Sequence, residues 1–215
     1  RIAGEPLEQV VGWAELGGLR LAVAPGVFVP RRRSELLARE AAALTPTAGR
    51  LLDLCCGVGA VGAVVRAVRP RAEIHLSDVD PDAVACARLN VSDGTTHVGD
   101  LFAALPHGPR FDVIAANAPY VPTADIAAMP PEARDHECRI ALDGGHDGVQ
   151  VHRRIASRAA EHLAPGGHLL VETARHLARS TAAAMAEHGV APRTVHDDDL
   201  DATVVIGSPV PDRSG

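Results

Sequence analysis

At 215 residues and 47% hydrophobic content, the chain suits one domain, with at most a small appendage, and is long enough to bury a substantial core. Its net charge is −6, all 21 basic residues are Arg, and its aromatic residues are three Phe, one Tyr and one Trp. That equipment is poor for gripping a phosphate backbone or stacking bases, and it weighs against nucleic acid as a partner.

In chain order, residues 6–11 read as a short helix. Gly17-Gly18 then leads into an alternating stretch over 19–23 that reads as a strand. Ser34 is placed to cap a helix running to about Leu44, because a serine hydroxyl accepts from the free amides of a first turn. From Arg50 the pattern becomes strand and helix in alternation. Strands are expected over 50–54, 73–77, 95–98, 111–116, 168–171 and 202–206, and helices over 60–68, 81–90, 149–163 and 175–188. Asp80 followed by Pro81 marks a helix start, Ala164-Pro165-Gly166-Gly167 marks a stop, and residues 121–147 read as a long loop with one helical turn. Such alternation implies a mostly parallel sheet covered on both faces, with ligands bound beyond the carboxyl ends of the strands.

No stretch of the chain has the length and apolarity of a membrane span, and no signal-peptide pattern opens it, so a cytoplasmic protein without membrane attachment is expected. The chain begins at Arg1 rather than Met, so residues ahead of it are expected in the full product. Cys55, Cys56, Cys86 and Cys138 form no CxxC pair, which points away from a disulfide framework or a zinc site and towards a reducing cytosol. The eleven histidines contain no HExxH, so no metal is expected.

The first strand-to-helix turn carries Asp53-Leu54-Cys55-Cys56-Gly57-Val58-Gly59-Ala60-Val61-Gly62. Glycines there let a ligand approach the backbone, and the helix start offers free amides to an anionic end. Asp78 closes the next strand, where a carboxylate accepts from ribose hydroxyls; Asp100-Leu101 follows the third, placed to meet an adenine amine and ring. Gly57-x-Gly59-x-x-Gly62 also satisfies the dinucleotide fingerprint. S-adenosylmethionine (SAM) differs in carrying an ammonium, for which Asp53 is the candidate partner, whereas the Asn117 loop would obstruct a dinucleotide's second half.

Asn117-Ala118-Pro119-Tyr120 follows the apolar run 111–116 and contains the single tyrosine. The Asn117 side-chain oxygen and the Ala118 backbone carbonyl are placed to accept from a flat –NH2 group. Pro119 holds Ala118 extended, and Tyr120 would cover the target. The target class is then a side-chain amide or a nucleobase amine.

Taken together, these segments resemble class I SAM-dependent methyltransferases, and more narrowly the HemK/PrmC protein-(glutamine-N5) methyltransferases. The resemblance rests on residues 6–12, on Val27-Phe28-Val29-Pro30-Arg31 with Glu35, on Asp53 to Gly59, on Asp78 and on Gly99-Asp100-Leu101-Phe102. It continues through Asn117 to Tyr120, against the family's Asn-Pro-Pro-Tyr, and Ala141-Leu142-Asp143-Gly144-Gly145-His146-Asp147-Gly148. It implies an α/β, Rossmann-like seven-stranded sheet with six parallel strands and one antiparallel strand, and helices on both faces. An N-terminal segment, 1–45, is expected on the substrate side, with the methyltransferase domain over 46–215. SAM would lie against Asp53, Cys55, Gly57, Val58, Gly59, Asp78, Asp100, Leu101 and Asn117, with Asn117, Ala118, Pro119 and Tyr120 forming the catalytic segment.

Three positions depart from the family pattern. Cys55 replaces the first loop glycine, Cys56-Gly57-Val58-Gly59 replaces Thr-Gly-Ser-Gly, and Ala118 replaces the first motif proline. Most of the helical domain through which such enzymes engage release factors lies outside this chain. The resulting expectation is SAM-dependent N-methylation of a protein glutamine, with a translation release factor as candidate partner. Methylation of a small metabolite or nucleobase amine and a non-catalytic SAM-binding module are the alternatives, with a nicotinamide oxidoreductase more distant. Arg31-Arg32-Arg33 reads as a solvated start to a helix, Glu137 as a cap or a partner for an Arg, Cys55-Cys56 as small packing residues, and Asp197-Asp198-Asp199 as a charged turn.

Overall fold

The run Arg50-Leu51-Leu52-Asp53-Leu54 buries side chains on both of its faces, as only a strand covered from both sides does. In the computed structural model, which describes residues 4–106, 108 and 110–210, this run is the central strand β3 (Arg50–Leu54). The N-terminal hairpin precedes it: β1 (Trp13–Leu16) and β2 (Leu19–Ala22) pair antiparallel. Gly17 and Gly18 both take positive φ in the turn, as the two-residue turn matching strand twist requires. Ahead of the hairpin lies α1 (Leu7–Val11), and after it α2 (Ser34–Leu44).

The main sheet continues with β4 (Glu73–Asp78), β5 (Thr95–Val98), β6 (Phe111–Ala116), β7 (Leu163–Glu172), β8 (Val190–Asp197) and β9 (Ala202–Pro209). Its order among the described residues is β5-β4-β3-β6-β7-β9-β8. Strand β9 runs antiparallel to both neighbours and the other six run one way. The expected sheet of six parallel strands and one antiparallel strand is therefore found. Side-chain alternation splits the core. Leu51, Val113, Ala115 and Leu170 join α2, α3 (Ala60–Val68) and α4 (Pro81–Asn90). Leu52, Leu54, Ile114, Ala116, Leu169 and Val171 join α6 (Gln150–His162) and α7 (Ala178–Glu187) on the other face. Among the described residues, no helix is long and apolar enough to cross a membrane.

Several elements differ from the sequence reading. Ser34 does not cap α2: it is the first helical residue, Arg33 occupies the cap position, and no side-chain cap bond forms. The Ser34 side chain is buried and bonds elsewhere. Strand β8 was not foreseen, because Pro192, Arg193 and His196 give it the polar surface of an edge strand rather than an apolar alternation. Strand β7 starts at Leu163, running through Pro165 and two glycines with a register shift against β6. Such irregularity is where a strand tolerates those residues. Residues 121–147 hold three short helical pieces, of which the regular one is α5 (Pro131–His136).

Strands β4 and β5 lie on one side of β3 and β6 on the other, so the loops leaving β3 and β6 diverge and open a crevice at the strand ends. Asn90, at the end of α4, stitches the hairpin to this region. Its Nδ2 donates to the Ala22 and Val58 carbonyls at 3.0 and 2.8 Å, and its Oδ1 accepts from Ala22 N at 2.7 Å.

Phe111 opens β6 fully buried, with His75 edge-on to its ring at 5.1 Å. A Phe111→Ala variant should lose about 3–5 kcal/mol of stability in urea unfolding, the range for emptying a large core side chain.

Candidate active site

A cavity of about 490 Å³ fills the crevice. Its wall includes Asp53, Cys55, Gly57, Val58, Asp78, Asp100 and Leu101 from the strand ends, and Asn117, Ala118, Pro119 and Tyr120 from the loop after β6. The structure thus brings together every residue expected at the site except Gly59. That glycine stands behind the wall at the start of α3, where an added Cβ would lie 3.0 Å from Ala87 Cβ on α4.

The turn after β3 is built from left-handed residues: Cys55, Gly57 and Gly59 have φ of 58°, 52° and 75°. An added Cβ on Gly57 would meet nothing within 4 Å, so this stretch of backbone faces open space. Cys55 adopts its conformation without being glycine, a strain of about 1–2 kcal/mol. Burial, and then the negative charge of Asp78, push its thiol far above the usual cysteine range. It is an uncharged wall residue rather than a nucleophile.

Two carboxyl groups already occupy the turn's amides. Asp53 Oδ2 accepts from Gly62 N at 2.9 Å. Asp78 Oδ2 accepts from Gly57 N at 2.9 Å, and its Oδ1 from Asp80 N at 3.0 Å. Donors that would cradle a phosphate are thereby spent on fixed acids. Asp53 is 2% exposed. Burial pushes its carboxyl up to about 8, against the Gly62 hydrogen bond, with Asp78 raising it further and no cation among the causes. Burial raises Asp78 too. Asp100 is exposed at the rim and pairs with Arg154 at 2.5 Å, while Leu101, at φ 50°, supplies apolar wall.

The opposite wall follows β6. Asn117 Nδ2 donates to Ser34 Oγ at 3.1 Å, which leaves its carbonyl oxygen pointing away from that contact. Ala118 is buried. Behind it stands His152, whose Nδ1 bonds Thr181 Oγ1 at 3.0 Å and whose Nε2 is directed at the Ala118 carbonyl without closing a hydrogen bond. Burial pushes the His152 ring down to about 4, so it is neutral. Arg33 Nη1 donates to the Tyr120 hydroxyl at 3.4 Å, and burial pushes that phenol up to about 12.

A wedge that sequence reasoning gave no mechanical role supports Tyr120. Gly144 N donates to Val121 O at 2.8 Å, and Val121 N to Leu142 O at 3.1 Å. A Cβ on Gly144 would fall 2.6 Å from Tyr120 Cα, and one on Gly148 would fall 2.6 Å from Tyr120 O. Glycine at both positions is the signal that could have revealed such close packing.

The reading of Arg31 and Arg33 as solvated is overturned. Arg31 donates to both oxygens of Glu137, at 2.7 and 2.8 Å, and Glu137 also accepts from Val29 N at 3.2 Å. The Glu137 carboxylate is fully enclosed, so the pair clamps the segment before α2 to the 121–147 loop. Of the three arginines, Arg32 alone is exposed. The partners lie about a hundred residues away in sequence, which no local pattern could announce.

The buried Asp53 carboxyl has a testable sign. With its folded value raised to about 8, the folded protein holds a proton that the unfolded chain releases above pH 4. Stability should therefore fall between pH 4 and 8, by up to about 1.4 kcal/mol per pH unit. Asp53→Asn should raise the melting temperature at pH 8, with the gain shrinking towards pH 5.

Comparison with known proteins gives the same picture. The chain matches the family described as "Methyltransferase small domain" over residues 18–129. It is 39% identical over 176 residues to a release factor glutamine methyltransferase of Geobacter sulfurreducens, covering 80% of this chain and 62% of that protein. To the release factor glutamine methyltransferase of Cereibacter sphaeroides it is 36% identical over 204 residues, 92% of this chain and 72% of the relative. Among solved structures, a T. thermophilus 16S rRNA methyltransferase in complex with AdoMet and guanosine superposes with a TM-score of 0.66 at 20% identity, covering 92% of this chain and 50% of that one. The chain spans 61 to 64% of the length of the relatives from Geobacter sulfurreducens, Gloeobacter violaceus and Bradyrhizobium diazoefficiens. With the family match over residues 18–129 and 36% identity across 72% of the Cereibacter sphaeroides relative, the chain belongs to the methyltransferase small domain family, as a relative of the release factor glutamine methyltransferases.

Proposed function

We propose that this chain is a SAM-dependent N-methyltransferase acting on the side-chain amide of a protein glutamine, with a translation release factor as its partner in the cytoplasm. One observation carries the reading. A single cavity joins a turn lined by the buried Asp53 and the half-buried Asp78 to an asparagine whose amide nitrogen is tied back. On this reading residues 46–215 form the methyltransferase domain, and residues 1–45 lend Phe28, Pro30, Arg31, Arg33 and Ser34 to the acceptor side of the wall.

The residues present fit SAM. Asp53 is a desolvated carboxyl with no ion-pair partner among the described residues, a charge that an ammonium would supply, and Asp78 has lone pairs left for ribose hydroxyls. The open backbone at Gly57 gives close approach. The Gly57 and Gly62 amides are already spent on Asp78 and Asp53 and are not free for a pyrophosphate, which disfavours the dinucleotide reading. When bound, SAM supplies a methyl group on a sulfonium, an activated donor that needs neither metal nor strong base.

The chain's own task is to present a poor nucleophile, since an amide nitrogen shares its lone pair with the carbonyl. Asn117 Oδ1 and the Ala118 carbonyl would accept the two N–H bonds of the target and fix the direction of its nitrogen. Alanine at 118 keeps that role because it acts through the backbone. Tyr120, held by Arg33 and the glycine wedge, would cover the planar group and exclude water. Orientation of this kind supplies roughly 7–11 kcal/mol in favourable cases, and the acceptors offset positive charge growing on the nitrogen.

SAM should raise the melting temperature and NAD should not; the reverse result would defeat this reading. Labelled methyl groups should pass to a release-factor protein when that protein, nucleic acid and small metabolites are offered in parallel. Label in another fraction would redirect the substrate, and label in none would leave a SAM-binding module. Asn117→Ala should keep SAM affinity within a few-fold while transfer falls about 100- to 1,000-fold, the scale for loss of one preorganised polar contact. Gly144→Ala should lower transfer by displacing Tyr120, with SAM affinity again largely kept.

A further inference from the structure

Asn117 offers a cavity two chemically opposite ends, and the proposed reaction tolerates only one of them. Its oxygen accepts from a target –NH2, whereas its own –NH2 would set donor against donor. What decides between the ends is the partner that the amide nitrogen finds. Asn117 Nδ2 donates to Ser34 Oγ at 3.1 Å, and the carboxyl group of Glu172 lies on the other side of the Ser34 hydroxyl, close enough to act on it. Three elements meet here: Ser34 opens α2, Glu172 closes β7, and Asn117 follows β6 one step beyond the Ala116–Val171 pair of the sheet.

We propose that Ser34 and Glu172 are positioning residues that fix which end of the Asn117 carboxamide faces the methyl-accepting group. The inference rests on the reading of Asn117 as the acceptor of target N–H bonds. A hydroxyl has one proton to give. An ionised carboxylate takes that proton's hydrogen bond and can return none, so Ser34 Oγ shows Asn117 only lone pairs. The –NH2 end must then turn to Ser34, and the oxygen is left for the target.

Burial makes the arrangement costly unless it serves orientation. Ser34 is 3% exposed and Glu172 1% exposed, and Glu172 Oε2 has no hydrogen-bond partner among the described residues. Leaving a buried polar atom unpaired is destabilising, and more so for a charge. Glu172 also faces Val204 across the sheet, an apolar neighbour that offers no relief. Replacement by glutamine would keep shape and remove the constraint. An amide –NH2 donates to Ser34, the hydroxyl turns towards Asn117, and the carboxamide inverts.

Protonation of Glu172 would have the same effect, since a carboxylic acid also donates. Burial pushes this group up to about 7, with the Ser34 hydrogen bond and the charge of Arg33 acting the other way. The other titratable group coupled to it is Tyr120. Tyr120, raised to about 12 by burial, stays neutral between pH 5 and 9 and does not titrate in the window where Glu172 does. At saturating SAM, kcat should fall as pH drops below about 7. Saturation separates this limb from the ionisation of Asp53, which acts on cofactor binding.

The test compares wild type with Ser34→Ala, Ser34→Thr and Glu172→Gln, each checked for an unchanged circular dichroism spectrum. The first readout is hydrogen exchange of the Asn117 side-chain –NH2 by NMR, without any acceptor. It should be slow in wild type and Ser34→Thr, and at least about tenfold faster in Ser34→Ala and Glu172→Gln. The second is methyl transfer: kcat should drop about 10- to 100-fold in the latter two variants with KM for SAM little changed, and Glu172→Gln should lack the acid limb. Unchanged exchange and unchanged kcat in both variants would overturn the proposal. If Glu172→Gln does not fold, a hydroxyl-dependent difference between the alanine and threonine variants decides the same question. A wild-type protein that methylates no acceptor defeats the proposed function, while the exchange measurement still judges the relay.

Discussion

Parallel pairing of β3 with β4 on one side and β6 on the other, with Leu54 level with both Ser77 and Ala116, sets where every group at the site stands. Because the three strands end together, the turn after β3, Asp78 at the end of β4 and Asn117 after β6 enter one cavity without long side chains having to reach. Chain direction does the rest. The switch from the β4 side of β3 to the β6 side parts the loops at that point and nowhere else in the sheet. The apolar residues on both faces of β3 and β6 therefore hold the site in place through packing.

On that frame, the fate of a few backbone amides determines what the crevice accepts. Rossmann-like turns commonly present amides to a phosphate. Here Gly57 and Gly62 give theirs to Asp78 and Asp53, which changes the turn from an anion site to one that is short of positive charge. Burial of Asp53 disfavours its charged form, and a cationic ligand would relieve that cost. The same trade recurs on the facing wall, where Glu172 is kept buried with half its carboxyl unpaired.

Much of this was legible in the sequence wherever the cause was local. Residues 50–54, 60–68, 95–98 and 111–116 read as the elements they form, because apolar runs, glycines and an Asp-Pro helix start carry their own signals over a few residues. The site's cofactor side was equally legible, since each group follows a strand end. Non-local roles were not. Ser34 reads as a cap from its neighbours, yet its hydroxyl accepts from Asn117, which follows a strand far away in sequence. Arg31 reads as solvated until Glu137 is brought to it by the fold. Strand β8 escaped because an edge strand has a neighbour on one side only and need not be apolar.

The Arg31–Glu137 clamp has a consequence for how a partner would meet this surface. It joins the segment before α2 to the 121–147 loop, and both segments contribute to the cavity wall. Pulling the pair apart would strand an enclosed carboxylate, at a cost on the order of 3–5 kcal/mol. The two segments therefore behave as one rigid frame before anything binds. An incoming chain need not order the receptor as it docks, so the entropy of arranging that frame is charged to folding rather than to association. Such a frame selects by fit to a fixed opening and leaves the flexibility to the guest.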